Sequence, residues 1–575
     1  MVMKRKTQDL VRLIIFAAIL VVMNIISHFE FFRIDLTQEK RYTLSSSTVS
    51  VLENIDEPVL FKVYLEGEFP AGFRRLRDET VQMLEEFQAY SDYIEFEFID
   101  PSASEDEETR YSIYRQLQEK GIEPTNLQVQ EGGGRTEKVI FPGALVYYKG
   151  RETTVMLLKS QIGASSQTQL NNSIQSLEFD LAHAIQRMSN VRKKEIAFIE
   201  GHGELDEKRT ESIAVDLSET YNLNRFNLRN FELDESGNPD IAAQIRRMRT
   251  FDCIVIAKPT KSFTDLDKYL IDQYIMGGGK AIWLLDGVDI EMDSLSNKAQ
   301  TIAGALDLNI KELLFKYGAR VNHDLVKDMQ AAAIPIVTRM VGNTPQYEFY
   351  PWPYFPLVVP GTIKHPITNN LNAVKTEFIS SVDTISSAPV RKQFILQTSQ
   401  FGEIDNSPAI VSLSSVNTPP VQSNFSDAYV KLGVLLEGEF ESAFKNRIIP
   451  NSPTGEKLPM VEKSKPTAQI VIADGDIIKN QIQAGNPLPV GYDKYTQNMF
   501  GNRDFLLNCF DYLLDDSGLI SVRSREVKMR LLNKTEIETH KSFWKILNTA
   551  VPIGIVIAFG FFMNRWRKFK YARKK

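Results

Sequence analysis

The sequence predicts an α/β protein, with two consecutive α/β domains held between two membrane-spanning helices. Three observations predict it. From Val59 to Leu285, short apolar runs bounded by Gly, Pro and Asp alternate with segments of helical period. The runs EIAFIE (195–200), CIVIA (253–257), AIWLL (281–285) and AQIVIA (468–473) are almost continuously apolar. Parallel strands covered on both faces must be so. Two stretches without Asp, Glu, Lys or Arg, 13–29 and 546–564, lie near the two ends of the sequence. At 17 and 19 residues, both are of bilayer-crossing length.

The composition excludes other classes. With 43% apolar and 24% charged residues in 575, most of the chain should form compact cores, enough for three or four domains. A mean hydropathy of -0.22 excludes a multi-span transporter. The two cysteines, Cys253 and Cys509, leave no disulfide framework, CxxC redox centre or cysteine zinc site. The pI near 5.8 argues against general nucleic-acid binding.

The first apolar stretch, LIIFAAILVVMNIISHF, is preceded by Lys4, Arg5, Lys6 and Arg12. No small-x-small cleavage site follows, so an uncleaved anchor is expected rather than a signal peptide. The second is bracketed by Trp544 and Trp566 and runs into the basic tail 565–575. Between the basic flanks lie 72 acidic and 56 basic residues. The positive-inside rule then keeps both termini, 1–12 and 565–575, in the cytoplasm, with the body outside the inner membrane.

In the first domain (37–190), Ser45 or Ser46 should cap a helix through Leu52. Val59–Leu65 reads as a strand, Phe73–Tyr90 as an amphipathic helix and Ile94–Ile99 as a second strand. A Glu-rich helix runs from Glu105 to Lys120 and stops at Gly121. Strands follow at 126–130, 139–148 and 153–157, with Gly132–Gly134 joining the first pair and Lys149-Gly150 turning the second. Leu170, Ile174, Leu177, Leu181, Ile185 and Met188 mark a closing helix; His183 lies beside its apolar stripe. The order βαβα then ββα is that of a thioredoxin-like fold. No cysteine precedes position 253, so the domain is read as a scaffold and not a redox enzyme.

A second α/β domain is read over 191–308 and 465–535, interrupted by a β-rich insertion at 309–464. In open parallel sheets, ligands bind beyond the carboxyl ends of strands. Four such ends carry Glu200, His202 and Glu204; Lys258; Asp286; and Asp474 and Asp476. If the strands are parallel, these residues gather on one edge, the candidate ligand site. No metal is expected there: Glu200, His202, Glu204 and Asp206 alternate along a Gly-rich loop, which favours a turn feeding a helix over a zinc site. No phosphate loop GxxxxGK[ST] and no GxSxG elbow occur, so neither ATP hydrolysis, a cofactor nor an enzyme activity is expected. The segment Pro351-Trp352-Pro353-Tyr354-Phe355-Pro356 is either an exposed partner site or an aromatic loop packed on its own domain.

The segments EIAFIEGHGELDE, DCIVIAKPTKSFTD, GGGKAIWLLD and GNRDFLLNCFDYLLDDSGLISVRSRE, with DLTQEKRYTLS and FEFIDPS before them, resemble the GldG-like auxiliary components of gliding-motility-associated ABC transporters. The resemblance covers nearly the whole chain. It implies an extracytoplasmic body whose second domain is similar to the glutamine amidotransferase fold without its nucleophile. It also implies partners, a multi-span permease and a cytoplasmic ATPase, and a role tied to gliding in the Bacteroidetes group. A glycan or peptide receptor and a cryptic hydrolase are the rival expectations for the strand-end edge.

Overall fold

The computed structural model describes residues 5–29, 43–131, 134–159, 161, 164–189, 192–235, 237–295, 298–342, 344–359, 363–386, 388–447, 449–450, 458–524 and 534–571. The expectations for 1–4, for the DLTQEKRY segment, for Gly132-Gly133 and for 572–575 lie outside them.

Helix α1 (Arg5–Phe29) contains the first expected span, and its leucines, isoleucines and valines from Leu13 to Met23 are exposed. Its described apolar stretch, Leu10–Met23, is shorter than a bilayer crossing. Helix α2 (Ser46–Glu53) starts where Ser45 accepts from the Thr48 amide, as expected. Replacing Ser45 by Ala should cost about 1 kcal/mol, because that amide loses its cap. Urea unfolding of the full-length chain measures it.

Strand β1 (Val59–Val63), α3 (Ala71–Tyr90), β2 (Ile94–Phe98) and α4 (Glu107–Glu119) follow the expected order. So do β3 (Thr125–Glu131), β4 (Gly134–Ile140), β5 (Gly143–Tyr148), β6 (Arg151–Met156) and α5 (Ser166–Ser189). One expected strand, 139–148, is two. Pro142 has no amide to donate, and the Gly143 amide turns back to the Phe141 carbonyl at 2.8 Å. Lys149 and Gly150, both at positive φ, make the hairpin turn between β5 and β6. The four-stranded sheet runs β2-β1-β5-β6, with β1 parallel to β2 and antiparallel to β5. One face packs Val59, Phe61 and Val63 with Leu76 and Phe87 of α3 and Leu177 and Leu181 of α5. Leu145 turns to the other face, with Leu117 of α4 and Phe141.

The large sheet has seven strands. Strands β7 (Glu195–Glu200), β8 (Asn222–Asn227), β9 (Cys253–Ala257), β10 (Lys280–Leu284) and the strand Thr467–Ile472 are parallel, in the order β8-β7-β9-β10-(467–472). Every residue of β9 is buried, the two-sided burial that its apolar run requires. The helices α6 (Glu207–Ser218), α7 (Ile241–Met248) and α8 (Asp265–Met276), with the helix Asn502–Leu514, contribute to the same core. The segment read as an insertion supplies the last two strands. Lys431–Gly438 adds antiparallel to Thr467–Ile472, and Arg391–Gln397 adds antiparallel to it in turn.

The Pro-rich aromatic segment is strand rather than loop, in the hairpin of Ala331–Val341 with Thr344–Val358. Trp352, Tyr354 and Phe355 are buried against Phe378, and Trp352 Nε1 donates to Ser415 Oγ at 2.9 Å. The packed reading holds for these rings. The exposed apolar side chains of the hairpin are Val337, Met340, Tyr347 and Phe349.

Helix Lys541–Tyr571 belongs to a unit apart from this body and is described by itself. Among the described residues it is the one helix long and apolar enough to cross a membrane, and none of its apolar window is buried. A helix apolar all round and unburied needs an apolar solvent. Pro552 sits inside it.

Candidate functional site

The parallel strands bring the predicted residues to one edge, but they form two closed clusters there, with Glu200 apart from both. Glu200 ends β7 and pairs with Arg225 of β8 at 3.1 Å, partly exposed.

The first cluster is built on the loop after β7. His202 is fully buried and stacks on Phe263, ring centroids 3.7 Å apart. Its Nδ1 lies 3.2 Å from Glu204 Oε1 and its Nε2 3.0 Å from Asp267 Oδ2. Asp267 sits in the first turn of α8, where its carboxylate also accepts from the Thr264 amide at 2.8 Å, the Thr264 hydroxyl at 2.7 Å and Arg229 at 3.0 Å. Burial disfavours charge on both groups. Even so, the two flanking carboxylates raise His202 above its ordinary value. The bonds from His202 and Thr264 hold Asp267 well below the carboxylate range. The loop is tied down over β9: the amides of Thr260 and Lys261 donate to the His202 carbonyl at 2.9 and 2.8 Å. Asp206 caps α6 through the Arg209 amide, so it takes no part in a ligand set.

The second cluster joins three neighbouring strand ends. Lys258 follows β9 at φ 54°, a left-handed conformation, and is buried. Its Nζ lies 2.6 Å from Asp476, 3.2 Å from Glu291 and 3.7 Å from Asp286. Gly475 lets the chain pass against this lysine; a Cβ there would stand 2.6 Å from Lys258 Cγ. Asp286 accepts from the Gly475 amide at 2.6 Å, and Asp474 from the amides of Glu377 at 2.9 Å and Asp476 at 2.8 Å. Lys479 pairs with the other oxygen of Asp476 at 2.8 Å.

Burial and the neighbouring Asp476 push Asp286 up to about 7. Burial, with Asp476 and Asp286 beside it, raises Asp474 well above its ordinary value. Asp476 goes the other way: Lys258 and Lys479 outweigh its burial and lower it. Lys258, buried among carboxylates, is held above the ordinary lysine value.

The carboxylates of Asp286, Asp474 and Asp476 lie within 4.8 Å of one another, a spacing that a divalent cation uses. The ammonium of Lys258 pairs with two of the three, 2.6 Å from Asp476 and 3.7 Å from Asp286, so a cation bound at this edge would compete with it for Asp476. Arg229, Phe263, Asp267, Glu291 and Lys479 were not legible as site residues. The one available signal was Thr264-x-x-Asp267, a capping-box spacing ahead of an apolar helix.

Both thiols are core groups. Cys253 and Cys509 are fully buried, and burial pushes each well above the ordinary thiol value. His183 stacks on Phe179 and reaches Asp511 at 3.3 Å, a structural contact between α5 and the helix Asn502–Leu514.

Fold and site together define a class: a parallel α/β body with a charge-compensated strand-end edge, carried by a chain with an unburied apolar helix. The family model of the ABC-type uncharacterized transport system, an auxiliary component, matches residues 193–509. The chain belongs to that family. A model for a domain of unknown function matches residues 38–147. An uncharacterized protein of Borreliella burgdorferi (strain ATCC 35210 / DSM 4680 / CIP 102532 / B31) is 20% identical over 571 residues, covering 97% of this chain and 98% of its own. A solved structure, the mmIFT52 N-terminal domain, aligns with 56% of this chain and 97% of its own at 14% identity and a TM-score of 0.30.

Proposed function

We propose that the chain is the membrane-anchored, extracytoplasmic, non-ATPase auxiliary subunit of an ABC transporter complex. A multi-span permease and a cytoplasmic ATPase are its partners, and ATP energy enters through the latter. The observation that carries this reading is the family match over 193–509, which takes in all five parallel strands of the large sheet. The apolar helix Lys541–Tyr571 supports an anchor at the C-terminal end; the second anchor of this reading, in α1, rests on the uncharged run 13–29 of the sequence. The basic flanks support cytoplasmic termini in the inner membrane and a body on the opposite side.

The first domain serves as a thioredoxin-like scaffold. Its strand order, with β5 antiparallel beside β1, supports that reading, and no cysteine precedes Cys253. The second serves as a non-catalytic amidotransferase-like domain. Its buried thiols and lysine-neutralised edge support a structural or coupling role over hydrolysis. The tie to gliding motility rests on the sequence resemblance.

Affinity purification of the tagged full-length chain from detergent-solubilised membranes, with its neighbours identified by mass spectrometry, tests the assignment. A permease and an ATPase should co-purify in constant ratio. A chain that emerges alone, or with unrelated proteins, sinks it.

A further inference from the structure

The first domain and the large-sheet domain keep separate cores. Leu519, Ile520 and Val522 complete the first core beside Leu44, Leu52, Leu177 and Leu181. The helix Asn502–Leu514, with residues 515–518 between, belongs to the second core. The chain therefore passes between the domains twice, from Ser189 to Glu195 and across Asp515–Gly518. Lys194 ties the two passages together: its Nζ donates to the Leu514 carbonyl and to Asp516 Oδ2, both at 2.6 Å. Gly518 takes a positive φ of 68°, and Asp515 accepts from the amides of Ser517 and Leu519, each at 2.9 Å, which folds the second passage into a turn.

From this double passage, α5 and the helix Asn502–Leu514 run back side by side. Gln186 of α5 donates to Asp515 at 2.6 Å, and His183 lies 3.3 Å from Asp511. Farther along, Arg523 lies over the ring of Phe179 and donates to Asn508 Oδ1 at 2.6 Å and to the Asn369 carbonyl at 2.8 Å. These contacts across the joint are polar. The buried apolar side chains sort into the two cores, and Tyr512, partly buried, touches both.

A polar joint between domains permits relative motion, whereas a large apolar one would hold them fixed. Each hydrogen bond in it exchanges for one to water at small net cost. Arg523 adds a bias toward opening. It is buried, both its acceptors are neutral oxygens, and its Nε meets no acceptor among the described residues. Opening would return that N–H to water.

We propose that the two passages form a hinge, and that the pairs His183–Asp511 and Arg523–Asn508 are the latch that holds the first domain closed on the large-sheet domain. Residues 519–524 travel with the first domain, because their apolar side chains lie in its core. Each domain then moves as a rigid body, and a partner that grips the first domain changes its angle without unfolding either core. This hinge is independent of the subunit assignment above. The 24 residues of α5 make a lever of about 36 Å, at ~1.5 Å per residue. Opening by about 15° would move its far end by about 9 Å.

The test measures distances between paired spin labels on the full-length chain in detergent, by pulsed dipolar electron resonance. Cys253 and Cys509 are buried and stay unlabelled. One pair spans the joint: Ser166→Cys at the far end of α5 and Asn498→Cys just before the helix Asn502–Leu514, both exposed. A control pair, Lys261→Cys with Asn498→Cys, lies within the large-sheet domain, again at exposed positions. Releasing the latch with His183→Ala and Arg523→Gln should lengthen the spanning distance by at least about 5 Å and leave the control distance unchanged. Should that variant fail to fold, Asp511→Ala with Asn508→Ala removes the same two contacts from the other side and should give the same shift. An unchanged spanning distance in a folded latch variant overturns the hinge. Equal changes in both pairs, the mark of a loosened core, overturn it as well.

Discussion

Replacing Lys258 with Met should lower the unfolding free energy of the body by about 3–5 kcal/mol at pH 8, the penalty for stranding a buried charge. The side chain fits the same channel, so the loss is of the ammonium. Asp476, which Lys258 holds at 2.6 Å, keeps Lys479, and Asp286 loses its ion-pair partner at 3.7 Å. The pH dependence separates this from a packing defect. Asp286, pushed up to about 7, is protonated at pH 5, and Asp474 is raised as well. At pH 5 the missing lysine therefore leaves fewer uncompensated charges, and the deficit of the variant shrinks. Adding Asp476→Asn to Lys258→Met should recover more than half of the loss at pH 8. Chemical denaturation of the full-length chain in detergent measures each case. Trp283, fully buried in β10 with its Nε1 on Gln469, reports from the same sheet. A deficit that is the same at pH 5 and pH 8 would show that Lys258 acts by packing alone.

His202→Leu should cost about 2–3 kcal/mol near pH 6, since two charge-assisted contacts go and their buried carboxylates stay. Glu204 loses its side-chain partner in the ring, while Asp267 keeps Arg229 and Thr264. The sign of the pH effect follows from the raised value of His202. Its contribution is complete below the unfolded value near 6.5 and is lost as pH rises through the higher folded value. The gap between wild type and variant should thus be widest near pH 6 and narrow toward pH 9. Denaturation midpoints across that range test it. A gap that widens with pH would mean that the ring is neutral in the folded protein.

Much of the local structure was legible. Helical spacing from Phe73 to Tyr90 and from Leu170 to Met188, and apolar runs at Cys253–Ala257 and Ala281–Leu285, locate elements because burial of one face is written into residue period. The cap at Ser45 and the turn at Lys149-Gly150 rest on chemistry within four residues. The strand-end residues were legible for the same reason: a charged residue directly after an apolar run must leave the sheet. The split at Pro142 was equally local and was hidden only by the apolar residues on either side of it.

By itself, then, the sequence located most of the strands and helices of the first domain and the buried parallel strands of the second, and it determined that no dithiol or phosphate loop exists and where the charged strand ends lie. Only the tertiary structure decided that Arg391–Gln397 and Lys431–Gly438 complete the large sheet, that Trp352 is core, and that the edge charges divide into two closed clusters. Each of these depends on partners far apart in the chain, such as Lys258 with Asp476 and Trp352 with Ser415. Local propensity carries no record of such pairings. Whether a buried charge is a reactive group or a neutralised one is decided by the opposite charge that folding places beside it.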